Sequence, residues 1–476
     1  MTIRRTAALL FAIGTCLAVL PSQPVLAVPL DTLVQVSADP FTAPDFEHRT
    51  EVEPAIAVQG RTILAAFQVG RGDAGGSVDI GVAASTDAGT TWSSSMLADA
   101  TTATGGSYGR ASDPSVAYDG RTKRWLVAYL GITLTGRFDE PTRSGVELAR
   151  SFDGTTFASP ITIARAPRGI IYDKPWIACD DHGASPSFGH CYAVWDELGL
   201  RSGPYDTVLA STSRDGGAHW SDPVRTADHT HGFGGVPVVR PDGSVVVVYL
   251  DTVDPFRPRV ATFSSTDGGA SWGPSNTIAI PHRALTRFNV VRDPGLPSVA
   301  IDERGSIWVA WSDCRFEPKC AVDDIVLSRS IDGLGWSRPV AVAKGTPSTR
   351  SSLLTPALAV GLHGRATQLA LMYYTVSGGR CGASFRPAGC TVSIGSRSSG
   401  DGGDAWGPPT TIGWPMKLGW FPTTRAGYMW GDYVSDAILK TGKAVAVLPL
   451  ARRPGPTLDV AMYASVRRLV FRGRTR

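Results

Sequence analysis

The stretch Ser265–Trp272 reads STDGGASW and follows an alternating apolar run, RVATFS. Its pattern, Ser-x-Asp-x-Gly-x-x-Trp, suits a strand–turn–strand corner residue by residue. The short carboxylate of Asp267 accepts hydrogen bonds from the backbone N–H groups of its own turn. Gly268 and Gly269 supply the positive φ angles of a tight hairpin. Trp272 opens the next strand and covers the turn with a large apolar ring, and the Ser265 hydroxyl can bond back across the corner. The pattern recurs as STDAGTTW (Ser85–Trp92), SRDGGAHW (Ser213–Trp220) and SGDGGDAW (Ser399–Trp406), and one residue shorter as SFDGTTF (Ser151–Phe157) and SIDGLGW (Ser330–Trp336). The aspartates Asp87, Asp153, Asp215, Asp267, Asp332 and Asp401 stand roughly 50 to 70 residues apart. A period of that size marks a propeller or an array.

Two phrases precede each corner. The first begins at a proline: Pro54 (PAIAV), Pro114 (PSVAY), Pro175 (PWIAC), Pro237 (PVVR), Pro297 (PSVAI) and Pro356 (PALAV). The second is a strongly apolar strand such as TILAAFQ, SVVVVYL or SIWVAWSD. A third strand carries the corner and a fourth follows it, which makes a four-stranded antiparallel blade. Beyond the sixth corner, Asp432–Leu439, Ala444–Ala451 and Leu458–Val466 read as three strands of one more blade. Its missing strand is supplied by Leu33–Ala38 at the other end of the chain, a closure that removes an exposed strand edge. The count is seven blades, with six as the alternative.

The six corners resemble Asp-boxes, the repeat of the sialidase (neuraminidase) β-propellers and their non-enzymatic relatives. The resemblance spans nearly the whole chain after residue 27. It implies an all-β propeller; it is less specific for an activity, because a fold does not fix a function. Sialidases typically have six blades.

The resemblance also implies a set of parts. Three arginines clamp the substrate carboxylate, because a guanidinium is a permanently charged, bidentate donor. A tyrosine is the nucleophile, paired with a glutamate, and an aspartate in a first-blade loop is the acid/base. Where the family opens its first inner strand with Arg-Ile-Pro, this chain has Val52-Glu53-Pro54, so valine replaces that arginine. Arg49 lies three residues earlier. The loop GRGDAGGSVDIG resembles the family's acid/base loop and offers Asp73. Arg257 and Arg259 (DPFRPR) and Arg315 (DCRFEPKC) fall in loops between second and third strands. Tyr428 in RAGY resembles the family's Ala-Gly-Tyr, with Tyr433 an alternative; no glutamate partner is evident for either. The expected set is therefore Asp73 and Tyr428 as catalytic residues and Arg49, Arg257 and Arg315 as the substrate clamp.

Carboxylates at the ends of second strands, Asp196, Glu197, Asp251 and Asp313, form another candidate group. On the axis they would suit paired-carboxylate glycoside hydrolysis or a cation; otherwise they cap turns. The histidines of DHTH, His229 and His231, lack further ligands and read as loop residues. There is no phosphate loop or His-Glu-x-x-His helix.

The first 27 residues have Arg4 and Arg5, an apolar run over Ala7–Leu20 and the small-residue site Val25-Leu26-Ala27. They read as a signal peptide cleaved after Ala27, by Sec or twin-arginine export, since the run is too short to span a bilayer. Residues 28–476 then form one propeller. Six further cysteines fall into close pairs, Cys179/Cys191, Cys314/Cys320 and Cys381/Cys390, and adjacency favours these three of the fifteen connectivities. A net charge of +4 without a basic block speaks against nucleic acid. The expectation is a secreted monomer without cofactor, metal site or membrane insertion, whose partners are extracellular glycans or glycoproteins. It is either an exo-sialidase-type glycoside hydrolase or a non-catalytic glycan- or protein-binding propeller.

Overall fold

The apolar phrases fold as strands and the glycine-bearing corners as turns, giving an all-β chain. The computed structural model describes residues 32–72, 74–135, 140–199, 207–254, 256–284, 290–378 and 390–472, all within the compact unit Asp31–Arg476. The first antiparallel meander runs through Glu47–Gln59, Thr62–Arg71, Ser77–Ser85 and Ser93–Met96. The second comprises Arg110–Asp119, Arg124–Thr135, Glu140–Ser151 and Phe157–Arg165. Four separate four-stranded sheets follow, starting at Ile170–Cys179, Gly232–Val239, Ser298–Ile301 and Ser352–His363; these are the third to sixth meanders.

The C-terminal strands Ser435–Ile438, Lys443–Ala451 and Val460–Arg468 form the last meander. Thr32–Gln35 completes it, antiparallel to Val460–Arg468 with Thr32 opposite Val466. The closing strand expected from the N-terminal end is thus in place. The first strand of each meander lies against the first strand of the next, and Ser435–Ile438 returns to touch Glu47–Gln59. First strands therefore surround an axis. Second strands are buried on both faces, as at Ile63–Phe67, Val245–Tyr249 and Ile307–Trp311, which explains their continuous apolar runs.

The corners carry the chemistry their residues suggest. Ser265 Oγ donates to Asp267 Oδ1 (2.8 Å) and accepts from Gly269 N (3.0 Å), while Asp267 Oδ1 accepts from Ser271 N (3.0 Å). The serine–aspartate bond recurs at Ser85/Asp87, Ser151/Asp153, Ser213/Asp215, Ser330/Asp332 and Ser399/Asp401. Backbone and side-chain donors at Thr91 hold the Asp87 carboxyl down at about 2. These corners join third to fourth strands on one face. The starts of first strands and the loops between second and third strands share the opposite face, here the loop face.

Cys179–Cys191 and Cys314–Cys320 are disulfides, and Cys390 is disulfide-bonded; Cys381 lies outside the described residues. Among the described residues no helix is long and apolar enough to cross a membrane.

Candidate functional site

Four first strands break register where they meet their proline, between Val52 and Ala55, Ser112 and Ser115, Asp173 and Trp176, and Leu354 and Ala357. At each break the residue before proline has positive φ: Glu53 (55°), Asp113 (48°), Lys174 (49°) and Thr355 (48°). A left-handed residue with a Cβ before proline is disfavoured, at a cost of order 1–3 kcal/mol each. A bulge re-aims a side chain. In the first three meanders that side chain is charged, and all three meet.

Lys174 Nζ donates to Asp113 Oδ1 (2.7 Å) and Asp432 Oδ2 (2.7 Å) and stands 3.6 Å from Glu53 Oε1. Arg292 Nε donates to Asp432 Oδ1 (2.7 Å), and its Nη2 reaches Oδ2 of the same carboxylate. Glu53 Oε1 accepts from Asp432 N (3.0 Å), and Gln68 Nε2 bonds Glu53 Oε2. Lys174, Glu53, Asp113 and Asp432 are all buried, whereas the Arg292 side chain is 31 % exposed. The cluster ties the first, second and third meanders to the segments entering the fifth and the last. It lies at the loop-face end of the axis, and Lys174 and Asp432 also bound an axial cavity of about 250 Å³ walled by Val236, Val238, Val299 and Leu358.

Its electrostatics are uneven. Four carboxylates (Glu53, Asp113, Asp173, Asp432) interact with three cations (Lys174, Arg292, Arg71). Burial raises Glu53 to about 7 against the pull of Lys174, and raises Asp173 to about 6. Burial also works against the Asp432 charge, but Lys174 and Arg292 outweigh it and hold that carboxyl well below the usual range. Lys174 is likewise penalised by burial, yet its carboxylates keep it above the ordinary lysine range. Carboxyls with such split proton affinities are a mark of functional sites and also of buried ion networks.

Above the cluster two chain segments meet. Buried Arg71 donates from Nε to Met429 Sδ (3.3 Å) and from Nη1 to Gly76 O (2.8 Å). The turn it enters is closed by Gly72 N–Gly76 O (2.8 Å) and braced by Arg110 Nη1 on Gly75 O (2.9 Å). Asp73 lies outside the described residues. Tyr428 belongs to the hairpin of Thr423–Thr424 and Gly427–Tyr428. It bonds through its backbone to Val290 O (2.9 Å) and Arg292 N (2.8 Å). It is half-buried, and its hydroxyl bonds to no described group.

The arginines of the expected clamp share no partner. Exposed Arg49 pairs with Asp459 (2.7 Å), and Arg315 pairs with Asp313 (2.6 Å) and donates to Ile280 O (2.6 Å). Arg257 is exposed in a turn closed by its N–H on Asp254 O (3.0 Å). The second-strand carboxylates are tied locally: Asp196 accepts from Gly234 N, Glu197 pairs with Arg225, Asp251 with Arg259 and Asp313 with Arg315. Tyr433 is buried, with its hydroxyl on Pro114 O (2.9 Å) and its ring edge-on to Trp176. It packs against the second and third meanders.

Glu53, Asp113, Lys174, Arg71, Arg292 and Asp432 escaped the sequence reading. One signal was present: the residue before the first-strand proline is charged in three consecutive repeats, Glu53-Pro54, Asp113-Pro114 and Lys174-Pro175. A charge adjoining an otherwise apolar phrase is worth a partner search.

No family model matches the chain, and no curated protein matches it. Among solved structures, a polysaccharide lyase, an ulvan lyase, is similar at 12 % identity and a TM-score of 0.50, covering 92 % of this chain and 97 % of its own. A Hadza microbial sialidase aligns at 12 % identity and a TM-score of 0.48, over 92 % of this chain and 95 % of its own. An α-L-arabinofuranosidase from Fusarium graminearum aligns at 13 % identity and a TM-score of 0.45, over 92 % and 98 %. At these identities the likeness concerns the fold.

Proposed function

We propose that the chain is an exported, seven-bladed, sialidase-like propeller that hydrolyses terminal glycosidic bonds of extracellular glycans over its axis on the loop face. Asp73 is the acid/base and Tyr428 the nucleophile. Arg292 holds an acid group of the sugar from below, with buried Arg71 bracing the strand beside it and Arg49, Arg257 and Arg315 as further cations of the same face. The observation that carries this reading is the meeting of the Arg71 strand and the Tyr428 hairpin above the Glu53–Asp113–Lys174–Asp432 cluster, where Arg292 keeps a partly exposed edge. The glycan-active neighbours agree with it in class. Among the described residues the Tyr428 hydroxyl meets no carboxylate, which an activated tyrosine needs, and this favours a second reading: glycan binding at the same place without turnover.

The test uses mature protein, a fluorogenic α-sialoside and a panel of aryl glycosides. Turnover that falls ~10²–10⁴-fold in Asp73→Ala and is abolished in Tyr428→Phe supports the hydrolase. Unchanged turnover in either variant removes its assigned residue. A folded protein that turns over nothing but binds glycan establishes the second reading.

A further inference from the structure

Large apolar side chains that stay exposed are not spread evenly over the loop face. Among the described residues, Val253, Phe256, Ile280 and Phe316 gather on the loop face of the fourth and fifth meanders, and Phe256 is 93 % exposed. Scattered exposed apolar residues need no explanation, whereas a group displayed by built loops does. Asp251 clamps the base of the first loop through Arg259 (2.6 Å) and Val253 N (3.0 Å). Asp254 then turns the chain by accepting from Phe256 N (3.0 Å) on its side chain and Arg257 N (3.0 Å) on its carbonyl. In the neighbouring loop, Arg315 donates to Ile280 O (2.6 Å), which joins the segment bearing Phe316 to the one bearing Ile280; the Cys314–Cys320 disulfide closes that loop.

We infer that this patch is a binding platform for the continuing chain of an acidic polysaccharide whose end lies over the axis. The inference rests on the glycan reading above and deepens it. A phenyl ring offers a flat apolar face to the CH face of a pyranose, and Arg257, beside Phe256, has no carboxylate partner among the described residues to compete with an acid group. The four side chains expose roughly 400 Å² in all, an area that a narrow sugar chain crossing two adjacent loops fits.

Native affinity electrophoresis of the mature protein through gels containing hyaluronan, alginate or polysialic acid tests the platform. Phe256→Ala, Phe316→Ala and Ile331→Ala run beside the wild type. Phe256 is almost wholly solvent-exposed, so Phe256→Ala keeps the wild-type melting temperature. Retardation of the wild type in at least one gel, weakened about tenfold or more by Phe256→Ala and kept by Ile331→Ala on the corner face, is the expected result. Equal retardation of the wild type and both phenylalanine variants overturns the platform, and so does no retardation in any gel. Phe256-dependent binding to phosphatidylserine vesicles without retardation overturns it in favour of a lipid surface. Glycoside turnover without retardation removes the platform and leaves the hydrolase; Phe256-dependent retardation without turnover does the reverse.

Discussion

Replacing Lys174 by methionine keeps the length of the side chain and removes the charge on which three carboxylates converge. Each 2.7 Å contact, to Asp113 and to Asp432, carries a gross attraction of ~6 kcal/mol at an effective dielectric of about 20. Most of that is cancelled by desolvation, and breaking a buried pair by deleting one partner costs about 3–5 kcal/mol net. The loss should depend on pH. With the ammonium gone, Glu53 loses the cation that opposes its burial while Arg292 is already committed to Asp432, and taking up a proton is its cheapest relief. Thermal unfolding followed by circular dichroism at pH 8.0 and 5.5 measures this. A chain of this size loses ~1 kcal/mol per degree near its melting point, so Lys174→Met should lower the melting temperature by about 3–5 °C at pH 8.0 and by less at pH 5.5. A variant that melts within a degree of wild type at pH 8.0 refutes the buried ionic cluster.

Glu53 titrates near 7 in the folded chain against 4.5 unfolded, so its contribution is fully present below about pH 4.5 and is lost as pH rises through 7. Asp173, at about 6, acts in the same direction, and Glu53→Gln should flatten the fall in stability between pH 5 and 8, read from urea midpoints. Asp267→Ala deletes the acceptor of one corner and should cost about 1 kcal/mol in the same titration while leaving glycan turnover unchanged. Opening the 12-residue Cys179–Cys191 link by Cys→Ser at both positions should cost ~2–3 kcal/mol with the far-ultraviolet spectrum preserved.

What was legible in the sequence follows from distance along the chain. A corner such as Ser265–Trp272 makes its bonds to residues two to four positions away, so its geometry is written locally. The same is true of the two described disulfides, whose cysteines are 12 and 6 residues apart. The closing strand could be read because one four-strand phrase lacked a member at one end of the chain and had a spare at the other. The axial cluster is different: Asp432 lies 379 positions from Glu53 and 258 from Lys174, and nothing local announces that they touch. Family resemblance directed attention to Arg49, Arg257 and Arg315, whose arginine chemistry suits a clamp. The axis instead holds Arg71 and Arg292, one inside an apolar strand and the other in a linker before the fifth meander. The pre-proline charges were the readable trace of that arrangement, because a bulge that turns inward can keep a charge only if others turn inward to meet it.

A crystal structure of mature Tyr428→Phe protein soaked with the best-bound sugar of the glycoside panel tests the central claim most directly. The account predicts sugar over the axis on the loop face, its acid group within hydrogen-bond reach of Arg292 and its anomeric carbon facing the ring of residue 428. Sugar bound only on the corner face, or between meanders away from Arg292, would contradict it.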